Sequence, residues 1–244
     1  MDERLYEEYA QIQGRHWWFA GRRAIVRAVI ESRLSPAGPL RICDVGCGTG
    51  TNLRELRRFG PVTGVDPEPS AVAYCQSHGE QDVRLSSGLD LPFEDSSFDL
   101  ITMLDVLEHV DDEAAMLGEA RRVLAPGGHL LLTVPAYEWM WGAQDVIAHH
   151  KRRYTRPRLL SMLTGNSFEP LASSYFNTLL FAPIAAVRLA RRLRPPSGPP
   201  RSDFELTEPG LMNSMLARGF GAEAAVLRRA SLPFGVSILA LGRA

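Results

Sequence analysis

The chain has 244 residues, 45% hydrophobic and 23% charged, with 27 Lys and Arg against 28 Asp and Glu. That length suffices for one sizeable core, and the near-neutral balance lacks the basic bulk of a duplex-binding protein. Three cysteines make no disulfide framework and fit a reducing compartment; Cys43 and Cys47, with no histidine or cysteine cluster about them, give no zinc-site spacing, so no metal is expected.

The polar start, Met1 to Arg4, has no apolar signal core behind it, and no run of roughly eighteen apolar residues follows, so the expectation is a cytoplasmic protein. Residues 2–33 read as helical, with Leu5, Tyr9 and Ile12 on one face and Ile25, Val26, Val29 and Ile30 on another. Between the stripes lie His16-Trp17-Trp18-Phe19 and Gly21-Arg22-Arg23. These rings either staple the helix onto the core or close over a ligand, with Arg22 or Arg23 directed at a carboxylate. Ser35 to Pro39 break the helix.

Leu40 to Val45 is a short buried strand, followed by glycines at 46, 48 and 50 and a helix-like stretch from Thr51 to Phe59. Strand, glycine turn and helix in that order form an anion and nucleotide cradle, because glycine lets a ligand approach and a helix N-terminus offers unpaired N–H groups. Further strands are expected at 62–65, 82–85, 98–104 and 129–134, with helices at 67–78 and 112–124 between them, and this alternation predicts a doubly wound parallel sheet. Past Pro135 come a helix at 157–163, a strand at 169–175, an apolar helix at 178–194 ending in arginines, a Pro/Ser/Gly-rich loop at 195–208, a helix at 210–230 and a last strand at 234–241.

Asp66 lies twenty residues past Gly46, where a nucleotide-binding sheet presents a carboxylate to ribose hydroxyls. A carboxylate suits a vicinal diol because it accepts two hydrogen bonds. The third glycine of a dinucleotide fingerprint is replaced by Thr51. Instead, Asp44-x-Gly46-x-Gly48-x-Gly50 resembles the first motif of the class I S-adenosylmethionine (SAM) dependent methyltransferases. The likeness continues through Val65-Asp66, Leu91-Pro92-Phe93 before Phe98-Asp99, Leu107-Glu108-His109-Val110 and Arg122 to Gly128. His16 to Phe19, the His150-x-x-Arg153-Tyr154 element and Leu232 to Ser237 resemble one branch of that superfamily.

The resemblance implies a seven-stranded Rossmann-like sheet with the last strand inserted antiparallel, and SAM as cofactor. It implies a single domain: an N-terminal helical lid at 1–36, a SAM-binding core at 37–135, an acceptor-binding cover at 136–231 and a final strand at 232–244. Asp44, Gly46, Cys47 and Gly48 would hold the methionine end of SAM and Asp66 with Pro67 the ribose. Ser87, Gly88 and Leu89 would frame the adenine, with Asp90 as a substitute for Ser87, where many relatives carry aspartate. Leu104 and Asp105 would border the sulfonium, with Arg22 nearby.

For the acceptor, His109 and His150 are the expected base or positioning groups, since histidine titrates near neutrality. Trp17, Trp18, His149, Arg153 and Tyr154 are the expected substrate contacts, Arg153 pairing with an anionic group. The expected reaction is methylation, at oxygen first, of a small-molecule or lipid- or carrier-linked metabolite. No nucleic-acid partner is expected, and the helix at 178–194 is expected to cover the core rather than dock on a membrane. The rivals are an NAD-dependent oxidoreductase and a non-catalytic SAM-binding partner subunit.

Overall fold

In this computed structural model the described residues are 10–34, 38–193 and 210–244. The expected helix over 2–9, part of the break at 35–39 and the loop at 195–208 lie outside them. Seven strands form one sheet: β1 (Ile42–Val45), β2 (Val62–Asp66), β3 (Val83–Leu85), β4 (Phe98–Leu104), β5 (Leu124–Pro135), β6 (Glu169–Phe176) and β7 (Ser237–Arg243). Their order is β3-β2-β1-β4-β5-β7-β6. β1 pairs in parallel with both β2 and β4, and β7 runs antiparallel to both of its neighbours, as the resemblance implies.

β1 is buried at all four positions, as expected of a parallel strand covered on both faces. Side chains alternate between faces. Cys43 and Val45 join Met116, Leu117, Ala120 and Val123 in one core. Ile42 joins Ile25, Val26 and Val29 in the other, which places the N-terminal helix α1 (Trp17–Val29) over the face that also carries Asp44. After β1 the chain builds β2 and β3 on one side, then crosses to β4 on the other. The carboxyl ends of β1 and β4 flank this reversal, where open α/β sheets bind ligands.

Two expectations about elements are corrected. The helix Glu113–Val123 passes directly into β5, five residues before His129. Pro126, Gly127 and Gly128, expected between helix and strand, lie inside the strand, where Gly127 and Gly128 exchange backbone hydrogen bonds with Ala244. The helix Phe181–Leu193 does not turn an apolar face to the core. It buries Ala185 and Arg188 and leaves Leu189 and Leu193 exposed, Leu193 at 85%. It contacts the turn Glu138–Met140, and the Arg188 guanidinium lies against Gly142, where a Cβ would collide.

Among the described residues no helix is long and apolar enough to cross a membrane. The helix Leu211–Leu227 packs on α1, and the two approach so closely that a Cβ on Gly21 would lie 2.1 Å from the Phe220 ring.

Candidate active site

The turn after β1 is left-handed at Gly46, with φ of 73°, and a Cβ there would lie 2.6 Å from Val106 Cγ2, so glycine is required twice over. Asp44 is 1% exposed and accepts a 2.5 Å hydrogen bond from the Thr102 hydroxyl through Oδ1. Its Oδ2 is buried with no hydrogen-bond partner among the described residues. Burial pushes the Asp44 carboxyl up to about 7, against the opposing hydrogen bond from Thr102. A carboxylate so placed gains from any cation delivered to the turn.

Asp66, at the end of β2, accepts from Gly48 N at 2.8 Å and from Glu68 N at 3.0 Å, one oxygen each. Each oxygen keeps a second lone pair for a further donor, and burial raises its pKa. Cys47 is buried beside it and Pro67 is exposed. On the loop after β3, Gly88 is buried, Ser87 and Leu89 are exposed, and Ser87 Oγ accepts from Leu89 N at 3.2 Å. Asp90 is exposed and donates its N–H to the Ser87 carbonyl.

At the end of β4, Leu104 is buried and Asp105 has a positive φ of 60°. Asp105 is ion-paired to Arg22, which also reaches the Leu104 carbonyl at 3.4 Å. The Arg22 guanidinium lies 4.9 Å over the Trp18 ring, a cation–π arrangement. The N-terminal aromatic run thus brings Arg22, 4% exposed, to the sheet's reversal point. Trp17 turns elsewhere: its N–H donates to Asn213 Oδ1 at 2.8 Å and its ring meets Phe220 edge-on. Trp17, partly buried, thus helps to dock α1 on the helix Leu211–Leu227. Arg23 donates to the Gln13 carbonyl.

The cationic segment 149–154 is committed internally. Lys151 pairs with Asp111 and Arg152 with Glu113. Arg153 grips both oxygens of Asp145, at 2.8 and 2.9 Å, and donates to the Ala136 carbonyl at 3.0 Å. Its fork is filled, so Arg153 does not offer a site for an acceptor anion, and the expectation of an anionic acceptor loses its basis. Tyr154 is also corrected: at 1% exposure it packs in the main core and bridges to Ala136. His149 is exposed at a positive φ of 54°.

His150 remains directed at the site. Its Nδ1 lies 2.9 Å from Asp145 Oδ1, and its Nε2 lies 3.9 Å from Glu108 Oε1. The His109 ring stands edge-on to His150, centroids 4.8 Å apart. Asp145 is held well down, at about 2, by hydrogen bonds from His150 and Arg153 that outweigh its burial. Glu108 is 0% exposed and neither carboxylate oxygen has a hydrogen-bond partner among the described residues. Burial, with Asp105 nearby, raises its pKa well above the usual range.

A methyltransferase domain model matches residues 43–132, the stretch from β1 to β5. The chain is 34% identical over 187 residues to a ubiquinone biosynthesis O-methyltransferase of Xanthomonas oryzae pv. oryzae, covering 66% of this chain and 78% of that protein. The chain belongs to the class I SAM-dependent methyltransferases. A demethylmenaquinone methyltransferase of Tropheryma whipplei is 33% identical over 171 residues, covering 67% of this chain and 64% of that one. Among solved structures, a SAM-dependent methyltransferase from Mesorhizobium loti superposes with a TM-score of 0.57 at 20% identity, covering 89% of this chain and 98% of that chain. The cyclase SpnF superposes at 0.59 with 21% identity, covering 91% and 80%, so likeness of fold alone does not fix the chemistry.

Membership of the methyltransferase family sets aside the oxidoreductase reading and implies SAM as the methyl donor. The residues present fit that donor, because the unpartnered Asp44 Oδ2 suits an ammonium group. Sequence reading missed Asp145, five residues before His150, and gave Glu108 no role although it stands beside His109 in the Leu107 to Val110 motif. Two acids flanking a histidine pair were the available signal.

Proposed function

We propose that this methyltransferase transfers the SAM methyl group to a hydroxyl oxygen of a small, ring-bearing acceptor with an apolar, lipid-like tail. One juxtaposition carries the reading: Asp44 with its orphaned oxygen lies one residue before the end of β1, while Asp105, Glu108 and His109 follow the neighbouring strand β4 and meet His150 from beyond β5. Asp44 would take the ammonium of SAM, with the Gly46, Cys47 and Gly48 backbone along the methionine chain. Asp66 and Pro67 would meet the ribose, and Ser87, Gly88 and Leu89 the adenine. Leu104 and Asp105 would border the sulfur, with Arg22 fixing the Asp105 carboxylate.

When bound, SAM supplies a methyl carbon already activated on a positively charged sulfur. The displacement is in line, so the protein's share is alignment and exclusion of water. His109 and His150 would address the acceptor oxygen, with His150 held in place by Asp145. An aromatic wall of Tyr137, Trp139, Phe181 and Phe234, neighbouring rings 5.3–6.1 Å apart, adjoins this segment and suits an apolar acceptor. Relatives named for ubiquinone biosynthesis and for demethylmenaquinone support a lipid-linked ring as the acceptor class. A cytoplasmic location, the division of the chain into lid, core, cover and final strand, and a catalytic rather than accessory role belong to the same reading.

The test is incubation of the full chain with methyl-labelled SAM and separate panels of alkyl- or prenyl-tailed phenols, plain phenols, amines and nucleic acid, read by mass spectrometry. Label in the O-methyl group of a tailed phenol is the expected result. Label confined to amines or nucleic acid, or no transfer to any phenol by protein that binds SAM, overturns the reading.

A further inference from the structure

We propose that Glu108, His109 and His150 hold a divalent first-row transition-metal cation, on which the acceptor oxygen is seated. Each of the three offers one ligand atom, and these atoms all lie within 4.8 Å of one another. Around a cation with bonds of about 2.1 Å, neighbouring ligand atoms stand roughly 3.0–3.4 Å apart. The cluster is therefore preformed and closes by a small inward movement of three side chains.

Glu108 supplies the independent reason to look for a cation. It is fully buried, and neither oxygen has a hydrogen-bond partner among the described residues. A buried carboxylate without a donor is costly. Protonation alone does not resolve it, because the carboxylic O–H would itself need an acceptor, and His150 Nε2, at 3.9 Å, is beyond hydrogen-bond reach. The nearby guanidinium groups are engaged elsewhere, Arg22 with Asp105 and Arg153 with Asp145. A cation between Glu108 and the two imidazoles satisfies the carboxylate directly.

The surroundings of the histidines have the form that metal sites need. Asp145 accepts from His150 Nδ1, which leaves the Nε2 lone pair facing Glu108. Asp145 is itself fixed by Arg153 and by the Gly142 N–H at 2.7 Å. A carboxylate behind a ligating histidine sets its tautomer and raises its basicity. This gives the cationic segment a purpose its charge did not suggest: Arg153 holds Asp145, which orients His150.

Two nitrogens and one oxygen favour zinc, manganese, iron(II) or cobalt over calcium or magnesium. Three protein ligands leave positions open for an acceptor hydroxyl, whose proton the cation would make easier to lose.

The proposal rests on the methyltransferase reading for its purpose but is tested without acceptor or turnover, so the two can fail separately. Chelator-treated full-length protein is titrated with Co²⁺, followed by visible absorption, and with Zn²⁺, followed by calorimetry; SAM binding is measured on the same samples as a check of folding. One Co²⁺ per chain, with the absorption bands of a nitrogen-ligated site, is expected. Binding should weaken at least tenfold in His109→Ala and Glu108→Gln, and by 10- to 100-fold in Asp145→Asn, which acts through His150. Should Glu108→Gln not fold, the more exposed His109→Ala decides. Absence of stoichiometric binding, or binding equal in wild type and His109→Ala, overturns the proposal and leaves the cluster as a metal-free acid–base group.

Discussion

Asp145 and Arg153 show how much one ion pair can organise. Asp145 is 0% exposed and meets Arg153, His150 and the Gly142 N–H at once. Removing one member of a buried pair strands the other's charge, which costs about 3–5 kcal/mol. Arg153→Ala should therefore lower the melting temperature strongly, and a variant of wild-type stability with only weaker acceptor affinity would contradict this placement.

Asp44 makes the complementary case on the donor side. Its Oδ2 has no partner among the described residues, so Asp44→Asn should keep the fold while weakening SAM binding. A hydrogen bond to a charged group contributes about 1.5–3 kcal/mol, or roughly 10- to 150-fold in affinity. Calorimetry with SAM reads this directly, and unchanged affinity would place the methionine end elsewhere. At this scale the glycine turn after β1 was legible from sequence, because its residues are local and fixed by backbone geometry. Glu108, Asp145 and Arg153 were not, because their meaning lies in who faces whom.

The elements were legible where hydrophobic runs alternate with turn residues, as from β1 through β4. They were misjudged where a partner distant in sequence decides. Ala244 exchanges backbone hydrogen bonds with Gly127 and Gly128 inside β5, and Arg188 against Gly142 turns the helix Phe181–Leu193 so that leucines face outward. The helix α1 begins at His16, whose Nδ1 accepts from Trp18 N at 3.2 Å. Burial lowers its pKa from 6.5 to about 4.

Between those values the unfolded chain binds a proton that the folded chain refuses. The contribution is thus whole above about pH 6.5 and is lost as pH falls toward 4. Melting temperatures at pH 7.5 and 5 should show a smaller drop for His16→Gln than for wild type, and an equal drop would remove the effect. Packing of the same helix is tested by Gly21→Ala. Its Cβ would meet Phe220, an overpacking that costs about 1–3 kcal/mol and outweighs the gain of up to about 1 kcal/mol in helix propensity.

Across the whole molecule, the sheet supplies the glycine turn after β1, and α1 and the helix Leu211–Leu227 pack over one of its faces. The N-terminal helix lies between the sheet and the helix Leu211–Leu227, and it delivers Arg22 to Asp105. Deleting residues 1–24 should expose Phe220, release Asp105 and reduce both melting temperature and SAM affinity. A truncated chain that binds SAM as the full chain does would show the helix to be dispensable.

The hydrogen bond from Trp17 to Asn213 joins residues 196 positions apart. At ribosomal speeds of about 5–20 residues per second, the gap amounts to roughly 10–40 s of synthesis. The contact between the two helices therefore forms only after the second of them has been made. Until the helix Leu211–Leu227 emerges, the Trp17 ring lacks its Phe220 partner and is apolar surface of the kind that chaperones of nascent chains bind.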